Sequence, residues 1–362
     1  MKSGAYVVPS AALLVAGFGL TPADSCAADS WTDSIVFNGD IRPRFEAIDE
    51  EGEEDRKRGR FRLRLGLTAE VNENVTAIVQ LASGGDNPVS TNQTFDDGFS
   101  RKDIGLDLVY VDWTPNDDLH IYAGKMKNPL FRAGGHALVW DSDLNPEGIA
   151  LKYEEGIFFG TLAIFAIEER SSSDDSLLLA VQGGVKFDVS EGNSLTAGVG
   201  YLDYSETIGN SPFYDGNPRG NSVDVEGNLI YDYNVLEVFG QFDTKVGDMP
   251  LMIFADFVQN SGADTNDSGY AFGAQIGKAS APGSWQGSLA YQDLAADAII
   301  GTFTDSDLGG GGTDSTGFTL KARYGLADNW AVGGTLFLNE IDENIGNEHD
   351  YTRLQLDLEF KF

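Results

Sequence analysis

The 362-residue chain has one cysteine, three histidines and four methionines. A single cysteine, Cys26, excludes a disulfide framework and a thiolate metal site. No two of the histidines, His120, His136 and His349, are spaced as metal ligands on one element, so no metal cofactor is expected. Positive charge is scarce: 24 Lys and Arg stand against 57 Asp and Glu, a net charge of -33 and a pI near 4.1. Phosphate backbones are bound by basic faces, so nucleic acid is excluded as a partner. Beyond residue 28 there is no apolar run of about 18 residues, and the mean hydropathy is -0.20, which excludes a bundle of membrane-spanning helices. With 41% hydrophobic and 11% aromatic residues the chain is still too apolar to stay unfolded.

Residues 1–28 read as a secretory leader, removed from a mature chain of residues 29–362. Lys2 supplies the positive start, residues 6–20 the apolar stretch, and Ser25-Cys26-Ala27-Ala28 the small-residue cleavage site. Acylation of Cys26 is the rival reading; Asp24 argues against it by placing charge where such sites are apolar.

After residue 34 the pattern is alternation with a period of two, with no long stretch of helical spacing. The last strand is the clearest. Leu354, Leu356, Leu358, Phe360 and Phe362 share one face, and Arg353, Gln355, Asp357, Glu359 and Lys361 share the other. Sixteen candidate strands follow: 35–48, 58–71, 75–83, 104–114, 119–125, 147–154, 157–168, 176–188, 194–204, 234–245, 250–260, 269–278, 283–293, 315–326, 330–339 and 351–362. A soluble sandwich also alternates, so connection lengths must discriminate. Long polar links such as 84–103, 126–146, 205–233 and 294–314 alternate with tight turns such as 72–74, 247–249 and 327–329. Long and short connections therefore segregate to opposite ends of the sheet. The class is all-β: a transmembrane antiparallel β-barrel of 16 strands, with short periplasmic turns, long extracellular loops and a water-filled lumen. Pro43 falls in the first strand and predicts a bulge or an unpaired position. Residues 104–114 and 157–168 are apolar on both parities and leave their registers open.

The segment Tyr351-Thr-Arg-Leu-Gln-Leu-Asp-Leu-Glu-Phe-Lys-Phe362 resembles the terminal signal of bacterial outer-membrane proteins, an alternating strand that ends in an aromatic residue. The stretches Gly39-Asp-Ile-Arg-Pro-Arg-Phe-Glu46, Arg60-Phe-Arg-Leu-Arg-Leu-Gly-Leu67 and Gly124-Lys-Met-Lys-Asn-Pro129 resemble the putative-porin family of Gram-negative bacteria. The resemblance spans most of the chain after residue 28. It implies a passive, trimeric diffusion channel in the outer membrane, and it carries over no catalytic residue.

Charge on the polar face concentrates in the first two strands: Asp40, Arg42, Arg44 and Glu46, then Arg60, Arg62, Arg64 and Glu70. An arginine on the lipid face near the midplane costs about 2 to 4 kcal/mol, so five would cost on the order of 10 to 20. Arg42, Arg44, Arg60, Arg62 and Arg64 must therefore face water or protein. One reading is a basic, pore-lining ladder; the other is a set of arginines neutralised by neighbouring carboxylates. The third long connection, about 126–147, carries Lys127, Arg132, His136, Asp141, Asp143 and Glu147 among Phe131, Leu138, Val139 and Trp140. That is apolar for an exposed loop. It is expected to fold into the lumen and set its carboxylates across a constriction from the arginines, an arrangement that general porins resemble. An outward loop packed at a trimer interface is the alternative.

The acidic block 49–55 reads as a solvated surface, able to hold divalent cations that bridge lipopolysaccharide. Residues 264–269 lack the bidentate Glu of a calcium loop. The glycines at 309–312 predict a mobile loop, since no Lys-Ser/Thr follows to make a phosphate cradle. His120 is the only histidine placed on a strand, with no outward serine beside it, so no hydrolase site is expected. The function read from these residues is an outer-membrane porin, a passive channel for small hydrophilic solutes or ions. The competing class is a surface-exposed β-rich adhesin or carbohydrate-binding protein without a pore.

Overall fold

The computed structural model describes residues 34–171 and 173–362, so the leader at residues 1–28 lies outside the described residues. Alternating side chains build the strands β1 (Ile35–Glu50), β2 (Arg56–Asn72), β3 (Val75–Ser83), β4 (Gln93–Thr94), β5 (Ile104–Asn116) and β6 (Leu119–Lys125). They continue as β7 (Glu147–Glu155), β8 (Phe158–Glu168), β9 (Ser176–Ser190), β10 (Asn193–Tyr204), β11 (Tyr233–Val246) and β12 (Met249–Asn260). The last are β13 (Ser268–Gly277), β14 (Trp285–Leu294), β15 (Ser315–Ala327), β16 (Trp330–Ile341) and β17 (His349–Lys361). All sixteen expected strands are present, their ends shifted by a residue or two. The short β4 sits within the second loop and pairs only with Arg60 and Phe61 of β2.

Every other strand pairs antiparallel with its neighbours in chain order, and β17 returns to β1 from Asp40↔Lys361 to Glu50↔Tyr351. The sheet is thus a closed 16-stranded antiparallel barrel with no free edge. Its hairpins alternate between two-residue turns, such as 247–248 and 328–329, and longer loops, the third at 126–146, the fifth at 205–232 and the seventh at 295–314. Asn329 adopts φ 60°, the left-handed conformation that a two-residue hairpin demands.

Pro43 resolves as a position unpaired on its β17 side. It keeps register with Phe61 on β2, while the β17 ladder runs from Ile41↔Phe360 directly to Arg44↔Asp357 without a shift. The ambiguous 104–114 stretch contains a bulge, because Gln80 opposes Leu108 whereas Leu81 opposes Leu106. His349 opens β17, so His120 is not the only strand histidine.

Outward rows such as Leu236 and Val238, or Leu354, Leu356 and Leu358, are half-exposed, as a lipid-facing surface must be. Buried apolar groups lie on the opposite face, inside the barrel. There Trp140 of the third loop, Tyr204 at the end of β10 and Phe213 of the fifth loop stack around Phe303 of the seventh, with ring centroids 5.8 to 6.4 Å apart. Gly309–Gly312 belong to this packed mass rather than to slack chain. Thr313 N–H donates to the Arg219 carbonyl at 2.9 Å, and Leu308 is 1% exposed.

Candidate functional site

Period-two alternation puts the arginines of β1 and β2 on the inner face, where β17 adds its own charged row. Glu46 is fully buried between them and accepts hydrogen bonds from Arg58 Nε at 2.6 Å, Arg353 at 2.8 Å and Arg60 at 3.3 Å. Arg44 grips Asp357 with two bonds, Nε to Oδ1 at 2.7 Å and a terminal nitrogen to Oδ2 at 2.8 Å. Arg62 donates to Asp40 at 2.6 and 2.9 Å. These are charge-assisted bonds in restricted water, so they hold the guanidinium planes in fixed orientations. Arg42 differs: it donates to the Asn92 side chain at 2.8 Å, has no carboxylate within ion-pair distance among the described residues, and its buried Nε has no partner.

The third loop crosses from the far wall to this one. Its tip, Ala133–Gly135, rests on β11, β12 and β13. Gly134 lies so close to Phe254 that a Cβ would sit 2.3 Å from the ring, so only glycine fits. Three inward amides hold the loop. Gln182 exchanges bonds with the Phe131 backbone at 2.7 and 3.0 Å, Gln241 accepts from Gly134 N–H at 2.9 Å, and Gln292 pairs with His136 at 2.9 Å. Farther along, Asp143 reaches β2 and accepts from Arg64 at 2.7 Å.

The seventh loop fastens the third from above. Thr304 Oγ1 donates to the carbonyls of Ala137 and Leu138 at 2.9 and 2.8 Å, and Ser306 N–H donates to Asp141 at 2.9 Å. The seventh loop also brings Asp307 to the basic wall, 2.7 Å from Arg353 and 3.3 Å from Arg44. Asn221 of the fifth loop in turn donates to the carbonyls of Ala296 and Ile299 at 2.7 and 2.8 Å. Backbone groups that would otherwise be orphaned inside the barrel are thereby satisfied.

Of the ten charged residues singled out by sequence, Arg42, Arg44, Asp141 and Asp143 line one narrow cavity of about 240 Å³ in the barrel interior. Arg60, Arg62 and Arg64 continue the same wall. Lys127 and Arg132 turn the other way, toward a cavity on the short-turn side of the loop. They donate to the carbonyls of Ser142 at 2.9 Å and Trp140 at 3.0 Å. Glu147 stands apart at the start of β7, exposed and paired with Lys125 at 2.9 Å. Asp305 and Asp307 carry no mark in their own sequence context; the signal that points to them is the stretch 295–300, apolar except for Asp297 and out of place in a solvated loop.

The two loop aspartates titrate in opposite directions. Burial, then the charges of Asp305 and Asp143, push Asp141 up to about 8. Burial would raise Asp143 as well, but Arg64 and Arg62 overcome it and hold that carboxyl down at about 2. Burial also keeps His136 below the ordinary imidazole range. At neutral pH the loop therefore presents one charged carboxylate, Asp143, bound to the wall, and one neutral carboxylic acid, Asp141. Among the described residues no group of three or more His, Cys, Asp or Glu is arranged to hold a metal.

The family model described as "Putative porin" matches residues 45–226 and 215–362. No curated protein matches the sequence. Among solved structures the chain is similar to OprB of Pseudomonas putida, with 13% identity and a TM-score of 0.62 over 91% of this chain and 95% of that one. It is also similar to a triple mutant of the Rhodopseudomonas blastica porin, with 13% identity and a TM-score of 0.53 over 91% of this chain and all of that one. At such identities the structural likeness speaks for the barrel, and the family match, which covers most of the chain, speaks for the rest: the chain belongs to the putative-porin family and is an outer-membrane channel of bacteria.

Proposed function

We propose that small hydrophilic solutes and ions cross by passive diffusion along an off-centre passage between the third loop and the arginine wall, and that anions are favoured there. The observation that carries this reading is the local charge balance. Arg42, Arg44, Arg58, Arg60, Arg62, Arg64, Lys321, Arg323 and Arg353 face Asp40, Glu46, Asp143, Asp305, Asp307, Asp357 and Glu359, and Arg42 has no carboxylate within ion-pair distance among the described residues. Selectivity is set at the narrowest ring, so this excess outweighs a net charge of -33 spread over the whole chain. The ladder reading and the neutralised reading of the arginines thus apply to different members of the set: most are neutralised in place, and Arg42 is left to attract anions. The same proposal includes a homotrimer and acidic outer loops that meet lipopolysaccharide through divalent cations. Purified protein in a planar bilayer under a KCl gradient tests the core of it. Large ohmic steps with a reversal potential of anion-preferring sign are expected, and a cation-preferring sign would overturn the assignment.

A further inference from the structure

Beneath the third loop, at the short-turn end of the barrel, lies a second cavity of about 600 Å³, bounded by β5 to β10 and by residues 127–135 of the loop. Its wall is built to carry flat rings. On β9, Gly184 has no side chain, and a Cβ there would fall 2.5 Å from Cζ of Phe159. On β10, Gly198 stands in the same relation to Phe239, again at 2.5 Å. The two phenylalanines therefore lie against bare backbone instead of standing off it. Phe131 from the loop packs on both, with ring centroids 5.8 and 5.3 Å away. Tyr110 and Tyr122, edge to face at 6.0 Å, line the cavity across from this shelf.

Cations flank the rings. Lys127 and Arg132 line the cavity from the loop side, each bonded only to a backbone carbonyl. Lys186 lines it from β9, and its ammonium lies within hydrogen-bond or ion-pair distance of no described residue. The carboxylates of the same cavity are already held, Asp112 by His120 at 3.0 Å and Glu154 by Lys152 at 2.7 Å. An apolar shelf with three cations free of carboxylate partners is complementary to a solute with a planar apolar body and a negative charge at its edge. The volume falls within the range of about 300 to 1,000 Å³ common for small-molecule pockets.

We propose that this cavity is a binding station for ring-bearing organic anions, of which aromatic carboxylates are the simplest class. The proposal rests on the anion-preferring reading of the passage and names its solute class. Small anions such as acetate gain only the charge at this station, and neutral rings gain only the shelf. A ring added to a carboxylate gains face or edge contact with Phe131, Phe159 and the tyrosines, which is worth roughly two- to tenfold in affinity.

Single-channel recordings of the full chain in KCl, with benzoate or acetate added at equal concentrations, test this. Benzoate is expected to interrupt the chloride current at a half-blocking concentration severalfold below that of acetate. Phe159→Leu should bring the ratio of the two concentrations toward one, whereas Lys186→Gln should raise both together. Equal block by benzoate and acetate in a channel that keeps its anion preference overturns the station and leaves the passage reading intact. Preferential benzoate block that neither substitution alters overturns the assignment to this cavity. A cation-preferring channel overturns the reading on which both stand.

Discussion

The wall formed by β17, β1 and β2 and the wall formed by β11, β12 and β13 obey the same alternation, yet they present different chemistry to the interior. The first shows arginines and carboxylates; the second shows Phe239, Phe254, Val258 and Gln241 beside the carboxylates Glu237 and Asp256. What differs is the cover. The third-loop tip lies on the second wall and turns it into a core, with Val258 fully buried and Phe254 6% exposed. Near the first wall only Asp143 of the loop pairs with an arginine, and Asp141 and Ser142 line a cavity of about 240 Å³ that leaves room for water. An inner barrel face is polar where it borders water and apolar where a loop seals it, so the position of one loop decides where a passage can run.

Removing that cover should have the largest effect. Deleting residues 134–142 is expected to raise single-channel conductance and the flux of a neutral solute severalfold, because the far wall then opens to water. It should also lower stability, since each large apolar side chain newly exposed costs about 1.5 to 3 kcal/mol. An unchanged neutral-solute flux would show that the passage does not run beside this loop. A charge change on the basic wall comes next. Glu46→Gln strands Arg58, Arg60 and Arg353 around a neutral amide, and breaking a buried ion cluster of this kind costs about 3 kcal/mol. On the opposite wall, Gln241→Ala removes a neutral hydrogen bond to Gly134 worth about 1 kcal/mol, and a same-strand bond to the half-buried Asp243 that water can replace. Urea unfolding of both variants checks the contrast, and equal losses would break it.

Much of this was legible because a β-strand repeats every two residues. The alternation of Leu354 to Phe362 and of Arg60 to Leu67 assigns each side chain to lipid or lumen from residue order alone, and turn lengths assign the ends of the barrel. Pairings between distant segments were not legible. Nothing local to Asp307 says that it meets Arg353, or that Asn221 clamps the backbone at Ala296 and Ile299, because those contacts depend on where three loops fold in space. Composition misled in one place. Four consecutive glycines suggested slack, but their left-handed φ values, 56°, 80°, 101° and 128°, describe a specific tight path beside Ser306, Arg219 and Tyr351.

Two smaller effects sharpen the comparison at the boundary between the walls. Arg42→Gln removes the arginine that lacks a carboxylate and should lower the anion-to-cation permeability ratio roughly two- to fivefold, as expected for losing about 1 kcal/mol of attraction in a hydrated lumen. Stability should hardly change, in contrast to Glu46→Gln.

The smallest effect is the pH dependence carried by Asp141, which lines the cavity of about 240 Å³ with Arg42 and Arg44. With its carboxyl pushed up to about 8 by burial and then by Asp305 and Asp143, Asp141 is neutral at pH 7 and gains a negative charge as pH rises through about 8. Anion preference should therefore fall across that interval, by less than Arg42→Gln takes away, and Asp141→Asn should abolish the step. The stability sign follows from the same proton. The folded chain keeps it where an unfolded aspartate, with a pKa near 3.9, has released it, so this contribution to stability is complete below about pH 4 and is lost as pH climbs toward 8. Asp143, held down at about 2 chiefly by Arg64 against the cost of burial, runs the other way: its contribution is present above about pH 4 and is lost as pH falls through 2. Reversal potentials measured from pH 5 to 9 and unfolding midpoints measured from pH 2 to 9 separate the two. A selectivity step that survives in Asp141→Asn would move the titrating group off the third loop and onto the walls themselves.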